Sequence, residues 1–159
     1  MKRKRILKKE FYITLFIKQN KWHKFGVLLH TLAVVFHTFK AKKYKMIPAA
    51  FLHDIRKPYV AFQDENDKIT NEYSFYNHEE ISYHIIKNYR VCEYTKKLVR
   101  YHYLLRGMQK ALEKNQMARY SRMKRAYDSL DEDFICDLKL FMKFDDLGKM
   151  SFFETKDNI

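Results

Sequence analysis

The stretch FLHDIRKP (residues 51–58) places a histidine and an aspartate side by side at the end of an apolar run, with Arg-Lys-Pro immediately after. Adjacent residues of a helix point about 100° apart, so His53 and Asp54 can share only a ligand that sits at their common edge. A metal ion is such a ligand. The alternative from these residues alone is a buried His-Asp pair joined by a hydrogen bond.

Glycine and proline are scarce in this chain, which has three Gly and two Pro among its 159 residues. Few positions therefore favour tight turns, and long stretches have the periodicity of helices, so the sequence predicts an all-α fold in a single domain. The same scarcity excludes a P-loop and a GxGxxG fingerprint, because neither can be written with these glycines.

The domain 1–159 divides into a core at about 22–148, a basic N-terminal helix in 1–21 and a tail at 150–159. Helical segments are predicted at 6–17, 22–40, 46–55, 77–89, 93–105, 109–129 and from Asp131 to a stop at Gly148. The polar stretch 59–76 lacks a period and is predicted to be a loop that borders a site.

Segment 22–40 has the longest apolar pattern of the chain and is predicted to be the central helix. Its apolar residues recur at steps of three and four and form one stripe: Phe25, Leu28, Leu29, Leu32, Val35, Phe36 and Phe39.

Positive charge is concentrated in two segments of this chain, whose net charge is +13. Residues 1–24 carry nine Lys/Arg and one acid, and residues 93–125 carry ten Lys/Arg and two acids. Such a field attracts phosphate-bearing ligands, so nucleic acid is one candidate partner. The alternative is that a lysine-rich composition serves only solubility.

Nothing in the sequence predicts a membrane protein. The apolar part of the basic N-terminus, 12–17, is too short for a signal peptide, and no segment approaches the roughly 20 apolar residues of a membrane span. The two cysteines are far apart and outside any CxxC spacing, which is typical of reduced thiols. We therefore expect a cytoplasmic protein; its oligomeric state is open.

Histidines and aspartates recur where the helices of a bundle could bring them together. His30 lies in segment 22–40, and His23 and His37 lie seven residues to either side on nearly the same face, so the residues alone leave all three as candidates. The other candidates are His53-Asp54, His78 in NHEE, His102 in LVRYHYL and Asp145-Asp146 in KFDDLGK. Imidazole and carboxylate ligands suit transition metals better than Ca²⁺.

The segment HTLAVVFHTFKAKKYKMIPAAFLHDIRKP (residues 30–58) is similar to the HD-domain superfamily of metal-dependent phosphohydrolases. The signature of that family is a histidine, then a His-Asp doublet closing an apolar helix, then a distant aspartate. SFYNHEEISYHII (74–86) and LVRYH (98–102) resemble segments of the HD region in bacterial tRNA nucleotidyltransferases, and small stand-alone bacterial and phage HD proteins are also similar. The resemblance covers roughly 25–148 and implies a compact bundle of about six to seven helices.

The resemblance implies one or two divalent ions, of Mn, Fe, Co, Ni or Zn. Four positions match the set that holds the first ion in the family: His30, His53, Asp54 and Asp145. Two positions match the pair that holds a second ion where one is present: His78 and His102. Asp54 would bridge both ions, Glu79 would orient an imidazole, and Asp146 remains the alternative to Asp145.

The activity implied is that of a phosphodiesterase or nucleotidase, which hydrolyses a phosphoester of a nucleotide or a nucleic-acid terminus through a metal-activated water. The catalytic residues would be Asp54, Arg56 and Lys57. The substrate phosphate would be bound by Arg56 and Lys57, and the surface would extend to Arg100 and Arg106.

One position departs from the family pattern, because the chain has Ile55-Arg56-Lys57 where the family has Ile-Gly-Lys. Arg56 removes backbone freedom and adds a charge at the mouth of the site, which would either tighten phosphate binding or alter catalysis. Two alternatives therefore stand beside an enzyme. One is a weakly active or inactive HD scaffold that binds nucleic acid or a nucleotide, and the other is a phage-type protein that sequesters a partner.

Overall fold

The structure, a computed structural model, describes residue 19 and residues 23–63, 65–70, 73–75 and 78–150. The predicted all-α class is confirmed. In chain order the helices are α1 (Val27–Lys40), α2 (Ile47–Leu52) after a 3₁₀ turn (Tyr44–Met46), α3 (Lys57–Val60), α4 (Glu65–Thr70), α5 (His78–Ile86), α6 (Glu93–Tyr101), α7 (Leu104–Glu113), α8 (Met117–Asp128) and α9 (Glu132–Met150). The predicted helix 6–17 and the predicted tail beyond Met150 lie outside the described residues. Within those residues, no helix has the length and apolar content that a membrane span requires.

The hydrophobic core lies where α1, α2, α6 and α9 meet. Its side chains without solvent exposure are Val34, Ala49, Ala50, Ile86, Leu98, Val99, Leu138 and Phe141. Burial of each large apolar side chain stabilises the fold by about 1.5–3 kcal/mol. Helices from the beginning, middle and end of the described chain are thereby held around one centre.

The face of helix α1 that packs on the core is not its apolar stripe. The buried residues are small or polar: Val27, His30, Thr31, Ala33, Val34, His37 and Thr38. Three members of the stripe are exposed: Leu29, Leu32 and Phe39. Helix α1 packs on both α2 and α9, so it is central as predicted, but its inner face consists of side chains that allow close approach.

Gly148 is not the helix stop that the sequence predicts, because α9 continues to Met150. It lies where α9 crosses α1. A Cβ at this position would lie 2.6 Å from Cγ2 of Val34, 3.0 Å from the backbone nitrogen of Val34 and 3.3 Å from the carbonyl oxygen of His30. The lack of a side chain therefore lets the two helices approach at the level of His30.

The predicted helix 46–55 ends earlier, at Leu52, and residues 53–56 form turns. Pro48 lies in the first turn, where its missing N–H leaves no hydrogen bond unmade. The backbone N–H of His53 still donates to Ala49 at 2.8 Å, so the change of direction comes directly after the histidine. The His-Asp doublet thus lies at a bend.

The stretch 59–76, predicted to be a loop, contains regular structure. Two short strands, β1 (Ala61–Phe62) and β2 (Ser74–Phe75), pair antiparallel, with Ala61 opposite Phe75. Helix α4 lies between them in sequence. The strand pair ends three residues before His78, which opens α5.

The predicted helix 109–129 is instead two helices, α7 and α8, joined as a hairpin. Asn115 adopts a φ of 53°, a left-handed conformation that asparagine tolerates better than most residues. The N–H of Gln116 donates to the carbonyl of Ala111 at 2.7 Å and closes the end of α7. An asparagine after a helical run was the signal that sequence reasoning missed.

We expect Gly148→Ala to lower the free energy of unfolding by about 1–3 kcal/mol, because backbone atoms of α1 occupy the space that the methyl group needs. Gly107→Ala in α7 is the matched control. Its Cβ would meet the mobile end of the Met123 side chain, and the better helix propensity of alanine, worth about 1 kcal/mol, offsets that contact. Urea unfolding of both variants measures the difference. Equal stability of the two variants would contradict the close crossing of α1 and α9.

Candidate metal centre

Six side chains from separate parts of the chain converge at the centre of the bundle. They come from the first turn of α1, the bend after α2, the first residue of α5, the residue after α6 and the last third of α9: His30, His53, Asp54, His78, His102 and Asp145. The histidines and Asp54 are buried, and the Asp145 side chain is 14% exposed.

The first set of ligands consists of His30, His53, Asp54 and Asp145. The Nε2 atoms of the two histidines lie 3.3 Å apart. Asp54 Oδ2 lies 3.5 Å from Nε2 of His30 and 3.2 Å from Nε2 of His53. Asp145 Oδ1 lies 3.0 Å and 3.6 Å from the same two nitrogens. The ligand atoms of His30, His53 and Asp54 all lie within 4.8 Å of one another, and Asp145 approaches this group through the two histidine nitrogens.

The second set consists of His78, His102 and the other oxygen of Asp54. The Nε2 atoms of the two histidines lie 3.2 Å apart. Asp54 Oδ1 lies 3.5 Å from Nε2 of His78 and 3.9 Å from Nε2 of His102. Asp54 therefore offers one oxygen to each set.

Backbone carbonyls fix which nitrogen of three of these histidines faces the centre. The Nδ1 atoms of His53, His78 and His102 lie 2.9, 3.0 and 2.7 Å from the carbonyl oxygens three residues earlier, those of Ala50, Phe75 and Val99. A carbonyl oxygen only accepts, so Nδ1 carries the proton in each neutral ring and Nε2 presents a lone pair. Ligating histidines in metalloproteins are oriented in this way.

The protonation state of His78 and His102 favours a cation between their Nε2 atoms. Burial lowers the pKa of His78, and burial together with the charges of His78 and His53 lowers the pKa of His102 to about 3. Both rings are therefore neutral near pH 7, and two lone pairs face each other with no hydrogen between them. A metal ion satisfies both at once.

The spacing of the ligand atoms also fits a metal. Ligands at 2.0–2.2 Å from a transition-metal ion lie roughly 3.0–3.5 Å from one another, depending on geometry. Nearly all separations within the two sets fall in or close to that range. Of the described residues, two groups have the geometry to hold an ion, and both contain Asp54. Mixed imidazole and carboxylate donors suit Zn, Mn, Fe, Co or Ni.

The first set balances negative charge with a protonated ring and two lysines. Burial alone would lower the pKa of His53, but the charge of Asp54 and hydrogen bonds with Asp145 and Asp54 raise it to about 9. The pKa values of both carboxyl groups lie well below their usual range, since His53 and Lys57 outweigh the burial of Asp54, and Lys149 and the histidines outweigh that of Asp145. A metal ion that binds here must displace the proton of His53.

Lys57 lies against the shared carboxylate rather than on the surface. Its side chain is buried, and Nζ lies 2.6 Å from Oδ2 of Asp54 and donates to Oε1 of Gln19 at 2.6 Å. Gln19 is itself buried and bonded to the carbonyl of Phe25. Sequence reasoning missed Gln19, and no motif marks it.

The other predicted phosphate-binding residues differ in their surroundings. Arg100 makes a two-pronged ion pair with Glu80 at 2.9 and 3.0 Å, so its guanidinium is already engaged. Arg106 pairs with Asp146 and also lies 4.0 Å from Oδ2 of Asp145, at the edge of the first set. Arg56 is half-buried, and its backbone N–H donates to Ser82.

The structure separates the alternatives at two positions. His23 contacts the ring of His30 edge to face at 5.1 Å, but neither His23 nor His37 belongs to a metal-capable group among the described residues. Asp146 is far more exposed than Asp145 and pairs with Arg106, so Asp145 is the aspartate that lies at the first set.

Lys149, which sequence reasoning missed, lies 2.9 Å from Oδ2 of Asp145.

Glu79 lies beside the second set, as expected of a residue that orients an imidazole. Its Oε2 atom lies 3.3 Å from Nδ1 of His78, the nitrogen that also faces the carbonyl of Phe75. The ring of His78 thus has acceptors on the side away from the centre, which favours the tautomer with Nε2 bare.

We expect the metal-free protein to be most stable near pH 6.5. From pH 6.5 down to about 3, the unfolded chain protonates His102 and the folded chain does not, so the free energy of unfolding decreases as the pH falls. From pH 6.5 up to about 9, the folded chain keeps a proton on His53 that the unfolded chain has lost, so stability decreases as the pH rises. Urea unfolding of chelator-treated protein from pH 4 to 9 measures both limbs.

His102→Gln should reduce the slope of the acidic limb of that curve, to which the other buried histidines also contribute, whereas His84→Gln, which removes an exposed histidine of α5, is the control. A wild-type free energy of unfolding that increases steadily from pH 6.5 to 9 would contradict the charge distribution of the first set.

Comparison with known proteins identifies one family. The family model described as the HD domain matches residues 27–133, about two thirds of the chain. The match includes every residue of the two sets except Asp145, which follows it in α9. No curated protein matches the chain, and no solved structure matches it.

Proposed function

The chain belongs to the HD-domain family, and we propose that it is a metal-dependent phosphohydrolase that cleaves a phosphoester of a nucleotide or a nucleic-acid terminus. The observation that carries the proposal is the sharing of Asp54 between two pairs of imidazole Nε2 atoms. Such a pair of adjacent cation sites is suited to a phosphoryl group, whose oxygens can contact both.

The ligands divide between two ions. His30, His53 and Asp145 would hold the first, His78 and His102 the second, and Asp54 both. Ions bound there would supply an activated water for attack on phosphorus and neutralise charge on the phosphoryl oxygens. The burial of the ligands excludes bulk water and strengthens each electrostatic interaction in the site.

In this proposal, Lys57 and Arg106 are the cations that act on the substrate phosphate. Lys57 fixes the orientation of the Asp54 carboxylate and carries a charge within reach of a phosphoryl oxygen bound beside it. Arg106 reaches the edge of the first set next to Asp145. Arg56 lies one residue before Lys57 at the bend, and the pairing of Arg100 with Glu80 makes Arg100 the weakest of the predicted contributors.

The test is hydrolysis of a panel of nucleotides, cyclic nucleotides and short oligonucleotides with added Mn²⁺, Co²⁺ or Ni²⁺. We expect Asp54→Asn to lower kcat/KM by about a thousandfold or more, since loss of metal stabilisation removes several kcal/mol from the transition state. His84→Gln is the control and should retain wild-type activity. A wild-type protein that binds metal but hydrolyses no phosphoester would contradict the proposal and favour an HD scaffold that binds without turnover.

Metal counting separates the two sets. We expect the purified wild-type chain, loaded with Mn²⁺ or Co²⁺ and freed of excess ion, to hold two ions. His102→Gln should hold about one, because it removes a ligand from the second set only. Elemental analysis with circular dichroism as a folding control measures this. A wild-type ratio of one ion per chain that His102→Gln does not change would contradict a second site.

A further inference from the structure

The hairpin of α7 and α8 borders both the core and the metal centre: Leu104 belongs to the core cluster, and Met123 and Tyr127 pack against it. Helix α8 has no buried residue, and it packs on α7 through Met123, which faces Gly107. Helix α7 starts two residues after His102. The residue between them, Tyr103, places its ring 5.8 Å from the ring of His78. The hairpin therefore begins at the second set of ligands.

Positive charge on this hairpin is not balanced locally. Residues 104–128 contain seven Lys/Arg and two acids. Neither Lys110 nor Arg119 makes an ion pair with any residue that the structure describes. Only Lys124 pairs with an acid of the same hairpin, Asp128, at the far end of α8. Unpaired cations beside a phosphoester site are a ready binding surface for further phosphates.

Three of these cations cluster on the side of the metal centre. Arg106 reaches Asp145, and Lys110 Nζ lies 5.9 Å from the centre of the Tyr103 ring. Partial desolvation and the charges of Arg106, Lys149 and Lys114 lower the pKa of Lys110, which shows that cations crowd around it. Arg119 lies in the first turn of α8, where Nη1 donates to Oε1 of Gln116, and its charge opposes the rise that burial causes in the pKa of Tyr103. We call Arg106, Lys110 and Arg119 the hairpin cations.

We propose that the hairpin cations bind the phosphodiester backbone of a single-stranded nucleic acid whose terminal phosphoester lies at the metal centre. This inference rests on the proposed function and selects a nucleic-acid end over a free mononucleotide. The ions and Lys57 would neutralise one phosphate, and a substrate with no further phosphates would leave Lys110 and Arg119 without an anionic partner. Helix α8 spans about 18 Å at 1.5 Å per residue, a length that several consecutive nucleotides can follow.

The test is binding of a fluorescent single-stranded 12-nucleotide probe to the full chain, followed by anisotropy from 50 to 200 mM salt. The variant is Lys110→Gln with Arg119→Gln. The matched control is Lys139→Gln with Lys143→Gln, two exposed lysines of α9 whose loss changes the net charge equally. Both proteins keep the basic N-terminal segment, so a difference between them reports on the hairpin.

We expect the Lys110→Gln/Arg119→Gln variant to bind the probe about tenfold more weakly than wild type. The slope of log K against log salt concentration should decrease in magnitude by about 1.4, and the control variant should stay near wild type. The metal content of the Lys110→Gln/Arg119→Gln variant should equal that of wild type. Binding equal to that of the control variant would overturn the inference, as would competition by inorganic tripolyphosphate as strong as that by unlabelled oligonucleotide. Because binding is measured without turnover, an inactive wild-type protein would count against the proposed function and not against this result.

Discussion

The Asp54 carboxylate is the constraint on which the rest of this structure depends. It is buried, and it divides its two oxygens between two pairs of imidazole nitrogens. Left alone, such a carboxylate among bare lone pairs would carry a large desolvation penalty. Lys57, the proton on His53 and the carbonyls that hold the rings offset that penalty in the metal-free chain. A metal ion held by the first set would take the place of the proton on His53.

The packing around this carboxylate follows from the need to bring six ligands to one point. Helix α1 buries its small and polar face, because His30 lies on it, and leaves part of a longer apolar stripe outside. Gly148 then lets α9 approach α1, and Asp145 arrives one helical turn before that crossing. The histidines after α2 and α6 and at the start of α5 lie at helix ends, where the carbonyl three residues earlier can accept from Nδ1.

The spacing of apolar residues and the family motifs predict much of the fold and of the site. The sequence predicted the all-α class, most helices and the six residues that the structure brings together, because a His-Asp doublet after an apolar helix constrains chemistry as well as fold. It failed where periodicity was ambiguous. The stripe of α1 is more apolar than the buried face, and a glycine near the end of a helical run predicts a stop, whereas Gly148 allows a close helix crossing. Gln19 had no local signal, since its partner Lys57 is 38 residues away.

The most direct test of this account is a crystal structure of the chain grown with Mn²⁺ and measured near the manganese absorption edge. We expect two anomalous peaks on either side of Asp54, one coordinated by His30, His53 and Asp145 and the other by His78 and His102, with Asp54 bound to both through different oxygens. Strong anomalous density elsewhere on the chain, with Asp54 still paired only to Lys57 and the histidines, would contradict the shared carboxylate as the centre of the site.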